Sequence, residues 1–161
     1  MKLPDSGERR QFSTGAVRDI AQGKGRCDLL PLDILGEFGN DNHLCNIYEY
    51  LCTGDLNRLW CVFHRFILNR WGDSSTALLE ISKHFEDGSI KYGDRNWEKG
   101  IDIHCFIDSA VRHYLKLRRG DTDEPHDRAF AWNILCAMWT HRHHPELIDI
   151  PIKEGSVDEN H

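Results

Sequence analysis

The stretch Glu124-Pro-His-Asp-Arg-Ala-Phe-Ala-Trp-Asn-Ile-Leu-Cys-Ala-Met-Trp-Thr-His-Arg-His143 decides the fold. Phe130, Ala131, Trp132, Ile134, Leu135, Ala137, Met138 and Trp139 put apolar side chains on most faces of one helix. A helix of that kind is surrounded by other elements, so it is expected at the centre, ending before Pro145. Asp102 to Arg118 carries Ile103, Phe106, Ala110, Tyr114 and Leu117 in helical phase, and Ser75 to Asp87 carries Leu78, Ile81 and Phe85. The pattern continues over 43–71 through Leu44, Ile47, Tyr48, Leu51, Leu56, Leu59, Trp60, Phe63 and Ile67. There Thr53-Gly54-Asp55 divides two helices and Asp55 caps the second. Gly72-Asp73-Ser74-Ser75 stops and restarts the chain, Gly88 is expected to end or loosen the next helix, and 88–101 reads as a loop. Leu29-Leu30-Pro31 opens a short helix through Glu37. No segment sustains strand alternation. The fold class expected is all-α: a compact helical bundle of five or six helices with an irregular N-terminal arm.

Length supports one domain: 161 residues, with 40% hydrophobic and 29% charged side chains. The expected divisions are a basic, glycine-rich arm over 1–30 folding onto the domain, a single helical domain over 31–145, and a loose tail over 146–161. Twenty-six acids against 20 bases give a net charge of −6. That excludes a general nucleic-acid binder, which needs many phosphate contacts, but leaves room for a local basic pocket holding a small anion. No apolar run suits a membrane span, and the first residues lack the apolar core of a signal peptide, so a cytoplasmic protein is expected. The six cysteines, Cys27, Cys45, Cys52, Cys61, Cys105 and Cys136, form no C-x-x-C pair and read as small core residues.

Carboxylates and histidines converging between helices build metal sites in bundles. The candidates are Glu80, Glu86, Asp108, Asp123, Glu124 and His126. Asp123 and Glu124 are also placed to cap a helix, and Asp108 to pair with Arg112 one turn on. His84 and His113 read first as structural histidines, and the His-Arg-His-His run at 141–144 as a solvated helix end. His126-Asp127 resembles the dipeptide of HD phosphohydrolases, weakly on its own. Asn133, inside the most apolar run, needs hydrogen-bond partners and either bonds a neighbouring helix or faces a polar pocket. Gly23-Lys24-Gly25-Arg26 sets two cations on a permissive backbone that suits a phosphate, although it lacks Walker spacing. Lys91-Tyr-Gly-Asp-Arg95-Asn96-Trp97-Glu98 joins cations, rings and an amide that together could hold phosphate, sugar and base. Its rings could equally pin the loop to the core.

Five blocks then resemble one known family: Thr14-Gly-Ala-Val-Arg-Asp19 with Gly23-Lys-Gly-Arg-Cys-Asp-Leu-Leu-Pro31, Lys91-Tyr-Gly-Asp-Arg-Asn-Trp-Glu-Lys-Gly100 preceded by His84-Phe-Glu-Asp-Gly88, Asp108-Ser-Ala-Val-Arg-His113, Asp123-Glu-Pro-His126, and Trp132-Asn133. They are similar to the phage and prophage family of dATP/dGTP diphosphohydrolase N-terminal domains. The likeness covers 12–36 and 76–140 and leaves 40–75 as an insertion variable in the family. It implies an all-α phage protein, in the host cytoplasm, acting on purine deoxynucleoside triphosphates. The name is close in meaning to the MazG-like pyrophosphohydrolases, which are helical, magnesium-dependent and oligomeric. Their E-E-x-x-E helix followed by E-x-x-D does not occur in this chain.

The leading reading is a pyrophosphohydrolase that splits a purine deoxynucleoside triphosphate into monophosphate and pyrophosphate. Mg2+, with Mn2+ as a substitute, is assigned to Glu86, Asp108, Asp123 and Glu124. His113, His126 and Glu124 are the acid–base or ligand residues. Lys24, Arg26, Lys91, Arg95 and Arg112 meet the triphosphate. Tyr92 or Trp97 stacks the base, and Asn96 or Asn133 reads its edge. Two readings stand beside it: a protein that sequesters a nucleotide or a nucleotide-derived signal without cleaving it, and an HD-type phosphohydrolase. A homodimer or higher oligomer is expected only by analogy with other helical nucleotide hydrolases.

Overall fold

Two Gly-Asp dipeptides set the course of the middle of the chain. In the computed structural model, which describes residues 7–151, Gly54 adopts a left-handed backbone at the end of one helix and the Asp55 carboxylate accepts the Asn57 N–H of the next. Gly72 and Asp73 repeat the arrangement, with Asp73 accepting from Thr76. Glycine tolerates the positive φ that releases a helix, and aspartate satisfies the free amides that begin one. Six α-helices result among the described residues: α1 (Leu32–Phe38), α2 (Asn42–Thr53), α3 (Leu56–Trp71), α4 (Ser74–Tyr92), α5 (Ile103–Arg119) and α6 (His126–His143). The helical fold class read from the sequence is the one observed.

The centre is α6. Ala129, Phe130, Ala131, Ile134, Cys136, Ala137 and Met138 are buried between α5, α3 and α4. Each fully buried large apolar side chain contributes about 2 kcal/mol of transfer free energy. Phe130 stacks edge-on to Phe66 of α3 at 4.6 Å and lies 5.1 Å from the Tyr114 ring of α5. Cys105 and Cys136 are buried, and all six cysteines are free thiols. No helix among the described residues is long and apolar enough to cross a membrane.

Three local expectations change. The helix expected to end near Asp87 runs on to Tyr92 and ends at Gly93, so Gly88 is an interior glycine that costs the helix about 1 kcal/mol without breaking it. The loop that remains is short and contains a 3-10 turn over Asn96–Lys99. The arm is not irregular throughout: β1 (Arg9–Gln11) and β2 (Val17–Asp19) pair antiparallel, with Arg9 opposite Asp19, Arg10 opposite Arg18 and Gln11 opposite Val17. Three residues per strand is too short for alternation to register in a sequence.

The tail read as loose is held as far as Pro151, and its remaining residues lie outside those described. Ile150 is buried. Asp149 accepts the His104 backbone N–H at 3.0 Å and also meets the His104 ring. It thereby caps α5, whose own N-cap residue, Asp102, makes no capping bond. Arm, loop and tail converge on Gly100, where a Cβ would lie 2.6 Å from Leu147 and 3.2 Å from Thr14. The Thr14 hydroxyl donates to the Gly100 carbonyl.

Candidate functional site

Asn96 anchors the arm. Its side-chain oxygen accepts the Val17 N–H and its amide donates to the Val17 carbonyl, both at 2.8 Å. Asp19 at the end of β2 accepts from Arg9 at 2.9 Å and from Lys91 of α4 at 2.6 Å. These bonds tie the hairpin to α4 and the 3-10 turn, Arg18 reaches Ser109 of α5 and Asn133 of α6, and two adjoining cavities open beside it.

One cavity, about 500 Å³, is rich in cations: Arg10, Arg18, Lys24, Lys91, Arg112 and Lys116. Against these stand three carboxylates in its lining, Asp19, Asp123 and Glu124. In a chain of net charge −6 this is a strong local reversal. Burial pushes the Lys24 ammonium below its ordinary pKa; burial does the same to Lys91, but its bond to Asp19 leaves that group raised. The second cavity, about 510 Å³, is lined by Phe85, Tyr92, Trp97 and Trp132. Trp97 lies edge-on to Phe85 at 5.6 Å and to Trp139 at 4.9 Å, which holds its ring in place. Both volumes suit a nucleotide-sized ligand.

Arg18 and Tyr92 line both cavities. The Arg18 Nη2 donates to the Ser109 hydroxyl at 3.1 Å and to the Asn133 side-chain oxygen at 3.2 Å, and the guanidinium lies over the Phe106 and Trp132 rings. Its Nη1 is sealed from solvent without a hydrogen-bond partner. No carboxylate among the described residues pairs with it, and burial lowers its pKa. The hairpin register sets Arg10 directly opposite, and the Arg10 Nε is also buried and unpartnered. Like charges facing each other across strands are destabilising, and a desolvated unpaired guanidinium more so. An anion between them would remove both penalties.

At the edge of the cationic cavity, α5 and the start of α6 bring together His113, Glu124 and His126. The His113 and His126 Nδ1 atoms are 2.9 Å apart, and Glu124 Oε1 is 3.6 Å from the first and 3.7 Å from the second. Asp123 lies 2.7 Å from the other His126 nitrogen, Nε2. Pro125 takes the N-cap position of α6, with no side-chain capping bond, so neither Asp123 nor Glu124 is used as a cap. Burial holds the His113 imidazolium well below its ordinary pKa, with the neighbouring His126 adding to the effect. Burial pushes the Glu124 carboxyl up.

Of the residues singled out from the sequence, Lys24, Lys91, Tyr92, Arg112, His113, Asp123 and Glu124 line the cationic cavity. His126 is buried beside it. Trp97, Arg95, Asn96 and Glu86 line the aromatic one. Several have other occupations. Arg26 grips Asp28 through two bonds of 2.8 and 2.6 Å and does not line either cavity. Arg95 is exposed and pairs with Glu98. Both polar ends of Asn96 are spent on Val17, so it has little left with which to read a base edge. Asn133 donates to the Ala129 carbonyl and accepts from Arg18, which makes it a positioning group for that guanidinium.

Asp108 is buried and taken up by the Cys27 N–H at 2.7 Å and by Arg112 at 2.7 Å. The four carboxylates assigned to magnesium therefore do not converge: Asp123 and Glu124 enter histidine clusters, while Asp108 and Glu86 enter none among the described residues. Glu80 pairs with Lys83 and Arg128 on the surface. The HD dipeptide does not act as a unit, because Asp127 turns away to Arg70 at 2.9 Å. The 141–144 histidines disperse to Tyr50, Trp139 and Glu146. Arg10, Arg18, Ser109 and Lys116 line the cationic cavity without belonging to the site residues expected from the sequence. Lys116 was recoverable, since it shares a helix face with Arg112 and His113. Arg18 stood inside the quoted Thr14–Asp19 block.

The helical domain thus sets a cation-lined cavity beside an aromatic cavity, with a histidine–carboxylate cluster at the edge of the first. The chain belongs to the family described as dATP/dGTP diphosphohydrolase, N-terminal, whose model matches residues 67–150. That span begins within α3, inside the segment read as an insertion, and ends at the buried Ile150. No curated protein and no solved structure matches the chain.

Proposed function

We infer that the protein is a purine deoxynucleoside triphosphate pyrophosphohydrolase. The observation that carries this reading is Arg18, a half-buried guanidinium with an unpartnered Nη1 and no carboxylate partner, at the wall shared by the two cavities. A nucleotide is the ligand whose parts match both sides: a flat base between Tyr92, Trp97 and Trp132, and a polyphosphate among Arg10, Lys24, Arg112 and Lys116. Family membership supports the substrate class.

The overall change adds one water: its oxygen bonds to the α-phosphorus, the bond from that phosphorus to the bridging oxygen breaks, and pyrophosphate leaves. Six cations around the chain offset the charge that moves onto the leaving group. Arg18, held by Ser109 and Asn133, fixes the α-phosphate relative to the base. His113 is held unprotonated by its burial, and so keeps a lone pair for a proton or a ligand. A divalent ion bound in the cluster would add charge neutralisation and acidify a water molecule.

The test is incubation with each deoxynucleoside triphosphate and a divalent ion, with products resolved by ion-exchange chromatography. Monophosphate plus pyrophosphate from dATP and dGTP is expected. Nucleoside plus tripolyphosphate would redirect the reading to HD-type chemistry. Nucleotide that binds and is recovered intact would make the protein a sequestering one.

A further inference from the structure

The two edges of the His113–Glu124–His126 triangle that end on Glu124 are too long for hydrogen bonds, and the third, between the two Nδ1 atoms at 2.9 Å, is a hydrogen bond whose proton a bound ion would replace. The point equidistant from them lies about 2.0 Å from each, which is the bond length of a first-row divalent ion to imidazole nitrogen and carboxylate oxygen. The His126 ring is fully buried and is oriented from behind by Asp123 on Nε2, which leaves Nδ1 to face inward. A carboxylate on the outer nitrogen of an imidazole is how metal-ligating histidines are fixed and made more basic. His113 and Glu124 also line the cationic cavity, so the side of the triangle away from His126 is open to whatever anion enters.

We propose that His113, Glu124 and His126 form a two-histidine, one-carboxylate site for a first-row transition ion, with Asp123 as its orienting residue and with coordination positions left open toward the cationic cavity. The donor set separates this site from the magnesium site expected from the sequence. Magnesium takes oxygen ligands, whereas two imidazoles with one carboxylate select manganese, iron, cobalt or zinc. The Asp102, His104 and Cys105 cluster is a poorer rival, because none of its residues lines the cationic cavity. This inference deepens the pyrophosphohydrolase reading by naming the class of ion and its ligands.

The probe is Co2+ alone, titrated into the metal-stripped full chain and followed by visible absorption and by calorimetry. One Co2+ per chain is expected, with the spectrum of mixed nitrogen and oxygen ligation and no comparable binding of Mg2+. Glu124→Gln is nearly isosteric, and circular dichroism confirms its fold; it should abolish the spectrum, as should His113→Gln. Asp123→Asn should weaken affinity about 10–100-fold while keeping the spectrum. His104→Gln should bind Co2+ as the wild type does. Absence of Co2+ binding, unchanged binding by folded Glu124→Gln and His113→Gln, or loss in His104→Gln would each overturn the site and leave a hydrogen-bonded histidine pair. The nucleotide reading is judged separately. Co2+ binding with all nucleotides left intact would sink hydrolysis and keep the metal site, whereas hydrolysis supported by Mg2+ without Co2+ binding would do the reverse.

Discussion

Arg18 carries the functional reading at the scale of a single residue, and it does so through what it lacks. A half-buried guanidinium lying over Phe106 and Trp132 without a counter-charge, one nitrogen of it unpartnered, is a liability to folding that a bound phosphate would relieve. Arg18→Met keeps the apolar volume and removes the charge. Its melting temperature should equal or exceed that of the wild type, while its affinity for dGTP falls tenfold or more, in line with ~1.5–3 kcal/mol for a charged hydrogen bond. Scanning calorimetry and titration calorimetry on the two proteins check both halves; a large loss of stability with unchanged affinity would make Arg18 structural. Little of this was legible beforehand. The basic residues of the arm were visible, but Arg18 enters the site through contacts distant in sequence, with Asn96 holding the neighbouring Val17 from 79 residues away. By contrast the His113, Glu124 and His126 trio was visible as types and helical positions. What the sequence could not supply was the approach of α5 to α6 that makes them one cluster.

At the scale of elements, helices were legible wherever apolar spacing and an aspartate cap agreed, as at Asp55 and Asp73. Partners distant in sequence were not. Asp41 caps α2 through the His43 and Leu44 amides at 3.0 and 3.1 Å, and it also receives the Tyr114 hydroxyl and Arg118 from α5. Asp41→Ala should therefore cost more than a lone cap, roughly 2–3 kcal/mol in chemical denaturation, since a buried hydroxyl also loses its acceptor. Asp149 plays the same part for α5. The His104 pKa is raised to about 10, chiefly by its bond to Asp149, so this pair's contribution is complete below the ordinary 6.5 and fades as pH rises through about 10. On the acid side, bonds from His104 outweigh the burial of Asp149 and hold its carboxyl below 3.8, so the contribution fades as pH falls through that lower value. Asp149→Asn keeps a capping oxygen but removes the charge, so it should destabilise the fold most between about pH 5 and 6, by up to ~1 kcal/mol for a partly exposed ion pair, with a smaller gap above pH 10. A gap independent of pH would contradict the ion pair.

Over the whole molecule, an acidic chain concentrates six cations around one cavity and places an aromatic cavity beside it. Affinity for a triphosphate should therefore fall steeply between low and physiological salt, and affinity for the free nucleoside should barely change. Composition alone indicated only that a basic pocket was compatible with the net charge; the pocket itself is a product of the hairpin docking on the bundle. The central claim is that one nucleotide spans both cavities, and Trp97 and Trp132 in the aromatic wall provide the signal. The decisive measurement is tryptophan fluorescence in competition titrations of dGTP, deoxyguanosine and tripolyphosphate. dGTP should bind more tightly than either fragment and displace both. Fragments that bind without being displaced by dGTP, or dGTP no tighter than tripolyphosphate, would contradict it.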